Sequence, residues 1–130
     1  IMSTDLTVKS KMLGLGKFPV LSEGDILKKA LDEMTKFRLG IACIISKEGA
    51  LLGILTDGDL RRLLLTHQDP LPALLVTPAL KFGSSSPFSI NFEMSTAEAL
   101  RIMHDKQIWD LPVVKPGSIL VGLIHRHDLN

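Results

Sequence analysis

Thr56-Asp57-Gly58-Asp59 places a hydroxyl and a carboxylate three residues apart, where an apolar run over residues 51–55 gives way to a helical pattern. At a helix start such a pair can hydrogen-bond the vicinal hydroxyls of a ribose or another sugar. The free amides and positive dipole end of that helix favour a phosphate nearby. The same residues also suit a local task, with Thr56 and Asp57 capping the helix and Asp59 stabilising its dipole. Spacing alone leaves both uses open. Arg61 and Arg62 follow within two turns, and Arg126 stands in the equivalent region near the end of the chain. Guanidinium groups suit phosphate or carboxylate, although Arg61 and Arg62 taken alone read better as a solvated helix face.

His125-Arg126-His127-Asp128 invites a metal reading, because a His-x-His pair on a strand projects both rings to one side. No second cluster of ligating residues supports it, so no metal site is expected. Trp109, the single tryptophan, suits packing or an interface by default, and otherwise stacks on or blocks a ring-bearing ligand. No nucleophile elbow, Walker loop, dinucleotide fingerprint or supported Ser/His/Asp set is present, so no catalytic residue is assigned. The pattern is that of a binder rather than an enzyme.

The elements that must position these residues occur twice. Gly53-Ile54-Leu55-Thr56-Asp57-Gly58-Asp59-Leu60 returns, weakened, as Gly122-Leu123-Ile124-His125-Arg126-His127-Asp128-Leu129, 69 residues on. The same offset pairs Ala30-Leu31 with Ala99-Leu100, Met34 with Met103, and Ile44-Ile45 with Val113-Val114. The chain is a tandem duplication. It sets His125 in the place of Thr56, keeps Asp128 for Asp59, and puts Trp109 opposite Gly40.

Each repeat reads as strand, helix, strand, strand, helix. In the first, residues 18–21 form a short strand, and Ser22 or Asp25 is expected to cap a helix carrying Ile26, Leu27, Ala30, Leu31, Met34 and Phe37 on one face. Residues 41–45 and 51–55 make a hairpin across Lys47-Glu48-Gly49-Ala50. The second repeats this with residues 88–91, a helix opened by Ser95 or Thr96, residues 111–114, a Pro116-Gly117 turn and residues 119–124. Leu6-Thr7-Val8 and Leu74-Leu75-Val76 are expected as brief lead-in strands. The expected organisation is a first repeat with its lead-in over 1–69, a flexible Pro- and Ser-rich linker over 70–87, and a second repeat over 88–130. The last helix is cut short at Asn130, so the sequence is expected to be a piece of a longer chain. Halves this small bury little core alone, so an α+β pair with pseudo-twofold symmetry is expected.

Composition narrows the function. A net charge of +1 with no long basic run argues against a nucleic-acid surface. Apolar stretches are only a few residues long, so no membrane span is expected. Cys43, the single cysteine, lies mid-strand and reads as a small buried hydrophobe. One cysteine allows no intrachain disulfide and fits a reducing cytoplasm.

The repeated unit, closed by Gly-hydrophobic-hydrophobic-Thr-x-x-Asp, resembles a CBS domain (cystathionine β-synthase domain), and the whole chain resembles a tandem CBS pair. The resemblance implies two βαββα units packed through their sheets, with clefts that commonly take adenosyl nucleotides. Carried onto this sequence, it gives Thr56 and Asp59 the sugar, and Val20, Leu21, Ile41 and Ala42 the apolar walls of a first site. In a second site Asp128 is retained while His125 stands where Thr is expected. There Trp109-Asp110-Leu111-Pro112 replaces Gly40-Ile41-Ala42-Cys43, which puts adenosine binding in doubt or implies another ligand.

The strings Thr56-Asp57-Gly58-Asp59-Leu60-Arg61-Arg62 and His125-Arg126-His127-Asp128-Leu129 resemble more narrowly the C-terminal CBS pair of the arabinose-5-phosphate isomerase family. These are sugar isomerases with an upstream SIS (sugar isomerase) domain, some tied to capsule and some to lipopolysaccharide synthesis. The serine-rich segment over 81–87 departs from that pattern. The resemblance implies a regulatory pair, not itself an enzyme. It would need no cofactor and would sense an adenine nucleotide or a CMP-sugar bound between the repeats, with effect on the attached isomerase domain. It also implies a homodimer. Two other readings compete: a dimerisation scaffold with a vestigial cleft, and a CBS pair joined to a sugar nucleotidyltransferase.

Overall fold

The computed structural model describes residues 6–129. In chain order the elements are α1 (Val8–Lys11), β1 (Leu13–Gly14), β2 (Val20–Ser22), α2 (Leu27–Phe37), β3 (Ile41–Ile45), β4 (Leu51–Thr56), α3 (Asp57–Thr66), α4 (Leu71–Leu75), a 3₁₀ turn (Ala79–Lys81), β5 (Ser84–Ser85), β6 (Ile90–Asn91), α5 (Thr96–Lys106), β7 (Asp110–Lys115), β8 (Ile119–His125) and a 3₁₀ turn (Arg126–Leu129). They form two four-stranded sheets, ordered β2-β3-β4-β5 and β1-β8-β7-β6. The fold is α+β. Two compact units result, one over residues 16–87 and the other from the described residues 6–15 with 88–129.

Alternation within the strands decides which residues build each core. In the 16–87 unit, Leu21, Ala42, Ile44 and Leu55 share one sheet face and pack with Leu27, Ala30, Met34 and Leu63 of the helices. Burying Leu21, Ile44 or Leu55 contributes roughly 1.5–3 kcal/mol each. The other unit builds its core from Val8, Ile90, Ala99, Met103, Leu111, Val113 and Ile124. The duplication extends to backbone detail. Ile41 pairs with Thr56 as Asp110 pairs with His125, and register shifts fall at Ile44/Ile45 and at Val113/Val114. Helices α2 and α5 both end on a left-handed residue, Arg38 and Gln107.

The lead-in segments are exchanged between the repeats. Residues 1–15 are expected with the first repeat; of these, the described residues 6–15 belong to the unit of residues 88–129. There Thr96 N–H donates to Leu6 O at 2.8 Å, and Val8 N–H to Met94 O at 2.8 Å. Residues 70–87, expected as a linker, are part of the 16–87 unit: Leu27 N–H donates to Thr77 O at 2.8 Å and Ala79 N–H to Asp25 O at 2.8 Å. Strands β1 and β5 then pair with β8 and β4 as sheet edges. Gly122 and Gly53 permit this approach, since a Cβ at either would fall 2.7 Å from a carbonyl oxygen of the edge strand, Leu13 O or Ser84 O.

Three local expectations change accordingly. Leu74 and Leu75 end α4 rather than a strand, because Pro70 at its N-cap and Pro72 inside its first turn suit a helix start. On the other lead-in, Thr7 makes a single bridge with Ser95, and Val8 opens α1. Neither Ser22 nor Asp25 caps α2, whose N-cap is Ile26; Asp25 accepts from Ser22 N–H at 2.7 Å, while Thr77 O serves the helix amide.

Candidate functional site

Thr56 leaves β4 in extended backbone and is the N-cap of α3, closing a capping box with Asp59. Thr56 Oγ1 accepts from Asp59 N–H at 3.3 Å, and Asp59 Oδ2 accepts from Thr56 N–H at 2.9 Å and from its hydroxyl at 3.1 Å. Arg62 Nη2 donates to Asp59 Oδ1 at 2.6 Å. Asp59 is therefore a buried carboxylate, 9% exposed and satisfied on both oxygens. A carboxylate offers about four acceptor positions. Three are used, so Oδ1 keeps room for one more donor such as a sugar hydroxyl. The local and the sugar-binding uses of this turn are compatible.

Asp57 lies outside that network. Its amide donates to Gly40 O at 3.0 Å, and its exposed carboxylate fills the space beside Gly40. A cleft of about 290 Å³ between α2 and α3 is lined there by Leu31, Thr35, Arg38, Gly40, Asp57 and Leu60. On the opposite side of α3, Asp59, Arg62, Thr66, His67, Lys81 and Phe82 line a second cleft of about 220 Å³.

The apolar wall residues divide. Strand pairing places Val20 and Ile41 on the sheet face that carries Thr56. Ala42 is on the opposite face, wholly buried in the core with Ile44 and Leu55.

The equivalent turn of the second repeat is built differently. His125 does not engage Asp128; its Nδ1 lies 2.7 Å from Asp110 Oδ1, and Asp110 stands in the register position of Ile41. The Asp128 side chain makes no hydrogen bond or ion pair with the other described residues. Trp109, 52% exposed, lies with His125 and His127 at centroid distances of 6.5 and 5.5 Å, and Arg126 covers its ring at 5.0 Å. Rings and a guanidinium thus gather where the first repeat has a hydroxyl and Gly40. Among the described residues no group of three or more His, Cys, Asp or Glu side chains is arranged to hold a metal ion. Among the described residues no helix is long and apolar enough to cross a membrane.

The sequence reading takes Arg62 for a solvated helix face and passes over His67 and Lys81. Arg62 was legible as the residue one turn beyond Asp59. Lys81 was not, since only the folded lead-in brings it to α3.

Comparison with known proteins bears on the same residues. The CBS domain family matches residues 1–66 and 81–130. An uncharacterized protein of Rickettsia prowazekii is 34% identical over 122 residues, which are 94% of this chain and 36% of that protein. The arabinose 5-phosphate isomerase KdsD of Pseudomonas aeruginosa is 37% identical over 111 residues, 85% of this chain and 33% of the enzyme. The chain spans about a third of the length of these curated relatives. Among solved structures, CBSX2 in complex with AMP matches with a TM-score of 0.82 at 20% identity, covering 95% of this chain and 92% of that one. The CBS domain pair of protein MJ0100, in complex with 5′-methylthioadenosine and S-adenosyl-L-methionine, matches with a TM-score of 0.76 at 18% identity, over 96% and 93%. At such identities these two show the fold. With two matched repeats over nearly its whole length, the chain belongs to the CBS domain family.

Proposed function

We propose that this chain is the regulatory, ligand-sensing CBS pair of a sugar-phosphate isomerase of the arabinose 5-phosphate type, and that it is not itself catalytic. The observation that carries the reading is the Thr56–Asp59–Arg62 network, a preorganised hydroxyl and carboxylate with one acceptor position left and a cleft on either side. A nucleotide or nucleotide-sugar would set its ribose hydroxyls on Asp59 and Thr56. Binding to one conformation more tightly than to another would bias an attached SIS domain, as differential affinity requires. The relatives named arabinose 5-phosphate isomerase and the AMP-bound CBS structure support both halves of the proposal.

Thermal unfolding with adenosine, AMP, ATP, S-adenosylmethionine, CMP and CMP-Kdo tests it. A ligand at 100 times its Kd stabilises by about 2.7 kcal/mol. A shift with adenosine compounds supports energy sensing, and one confined to cytidine compounds supports feedback by a pathway product. No shift with any of them removes the sensing reading.

A second role is favoured by a separate observation. Leu27, Leu31, Leu60, Leu63, Leu64, Leu71, Leu74 and Leu75 line an apolar groove across the helices of the 16–87 unit. Leu64 is 66% exposed at its rim. Such a face suits a second copy of the chain, so the pair also serves as a homodimerisation element.

A further inference from the structure

We propose that the cleft between α3 and the Ala79–Lys81 turn is an anion subsite, which takes a phosphate or other doubly charged oxyanion of the bound ligand on Lys81, Arg62 and His67. The proposal rests on the ribose reading above for the rest of the ligand. It assigns that ligand's acidic group to the flank of α3 and not to its first turn.

Charge on the walls is one-sided. The only carboxylate is Asp59, and both of its oxygens already accept, one from Arg62 and one from Thr56. Its pairing with Arg62 fixes Nη2 and leaves the other guanidinium donors for a ligand. Lys81 makes no ion pair or hydrogen bond through its side chain with the other described residues. Thr66 Oγ1 donates to Arg62 O at 2.7 Å and lies 3.3 Å from His67 Nδ1. His67 borders the cleft with Asp59 and Arg62 from α3 and Lys81 from the turn, so an oxyanion meets the Arg62 and Lys81 cations and one neutralised carboxylate.

The cleft is also held in place. Gly83 lies so close to Ile54 O that no Cβ fits, which anchors Lys81 and Phe82 against β4. The Phe82 ring meets His67 edge-on at 5.5 Å and packs on the core. At about 220 Å³ the space is below the roughly 300–1,000 Å³ of sites that enclose a whole drug-sized ligand, and suits one acidic group.

Amide NMR titration of the 130-residue chain with sodium sulfate, inorganic phosphate, adenosine and AMP tests this. Sulfate and phosphate are expected to move the amides of Arg62, Thr66, His67, Lys81 and Phe82. Lys81→Ala should weaken sulfate binding about tenfold, and Lys81→Glu should abolish it. His67→Gln should weaken sulfate binding by less than Lys81→Ala does. Both residues are exposed, so the variants are expected to fold. Oxyanions that leave these amides unmoved, or a Lys81→Glu chain that binds sulfate as before, would overturn the subsite. Adenosine reports separately: its binding at Thr56 and Asp59 judges the ribose reading whatever sulfate does. AMP no tighter than adenosine, or equally tightened in Lys81→Glu, overturns the assignment of the phosphate to this cleft.

Discussion

The amide of Asp57 donates to the carbonyl of Gly40 at 3.0 Å, and the Asp57 carboxylate occupies the space that a Cβ on residue 40 would need. In the second repeat the same backbone bond joins Arg126 N–H to Trp109 O at 2.8 Å, and the guanidinium lies over the indole. One backbone frame thus carries an acid beside a glycine in one repeat and a cation over an aromatic ring in the other. The duplication preserved the hydrogen bonds and inverted the chemistry around them.

Two glycine substitutions separate a yielding neighbour from a fixed one. Gly40→Ala is expected to cost no more than about 0.5 kcal/mol, because the obstructing group is the end of an exposed side chain that can swing away. Gly83→Ala is expected to cost about 1–3 kcal/mol, since its Cβ would strike the Ile54 carbonyl and approach the Leu55 backbone in the sheet. Urea unfolding of both variants measures the contrast. Equal losses would mean that β4 gives way as readily as a surface carboxylate.

The capping box can be probed in the same way. Thr56→Ala removes the acceptor for Asp59 N–H and a donor to Asp59 Oδ2, and is expected to cost about 1 kcal/mol. Asp59→Asn turns one oxygen into an amino group facing the donors of Thr56 or Arg62, at a cost of about 1–3 kcal/mol. Calorimetric titration with AMP should show the larger loss of affinity in Asp59→Asn, because that change removes the last open acceptor as well as the charge. Unaltered AMP affinity in both variants would place the nucleotide elsewhere.

The hairpins and the amphipathic helices were legible because their signals are side-chain periods, and a period repeated 69 residues later reports itself twice. The register of Ile41 on Thr56 and Asp110 on His125 follows from that repeat. The exchanged lead-ins were not legible, because the bonds that hold them run to the carbonyl oxygens of Leu6 and Thr77, which every residue possesses. A Pro-rich stretch reads equally as loop or as helix start until something packs on it, hence the misplacement of α4. Ala42 shows the limit at a site. Its neighbour Ile41 shares the face of Thr56, but strand alternation turns Ala42 into the core. Lys81 became part of a cleft only through the fold of its lead-in.

The ring cluster of the second repeat has an optical readout. Trp109 is the only tryptophan, with His127 at 5.5 Å and His125 at 6.5 Å between centroids. Removing a neighbouring ring changes what the indole packs against, so His127→Ala is expected to alter the emission of Trp109 more than His125→Ala, since its ring is nearer. Emission unchanged by both substitutions would separate Trp109 from the two rings in solution.

The apolar groove makes the last expectation. Leu64 stands at its rim, 66% exposed, where a lone chain gains little from burying it. Leu64→Asp is therefore expected to leave monomer stability within about 0.5 kcal/mol, as for exposed positions generally. If a second copy covers the groove, the same change buries a carboxylate against leucines, a cost far above what a modest interface tolerates. Sedimentation velocity across a concentration series should show a dimer for the natural sequence and a monomer for Leu64→Asp, with matching urea midpoints once both are monomeric. A natural chain that is monomeric throughout, or a Leu64→Asp dimer as tight as the original, would free this face of any role in self-association.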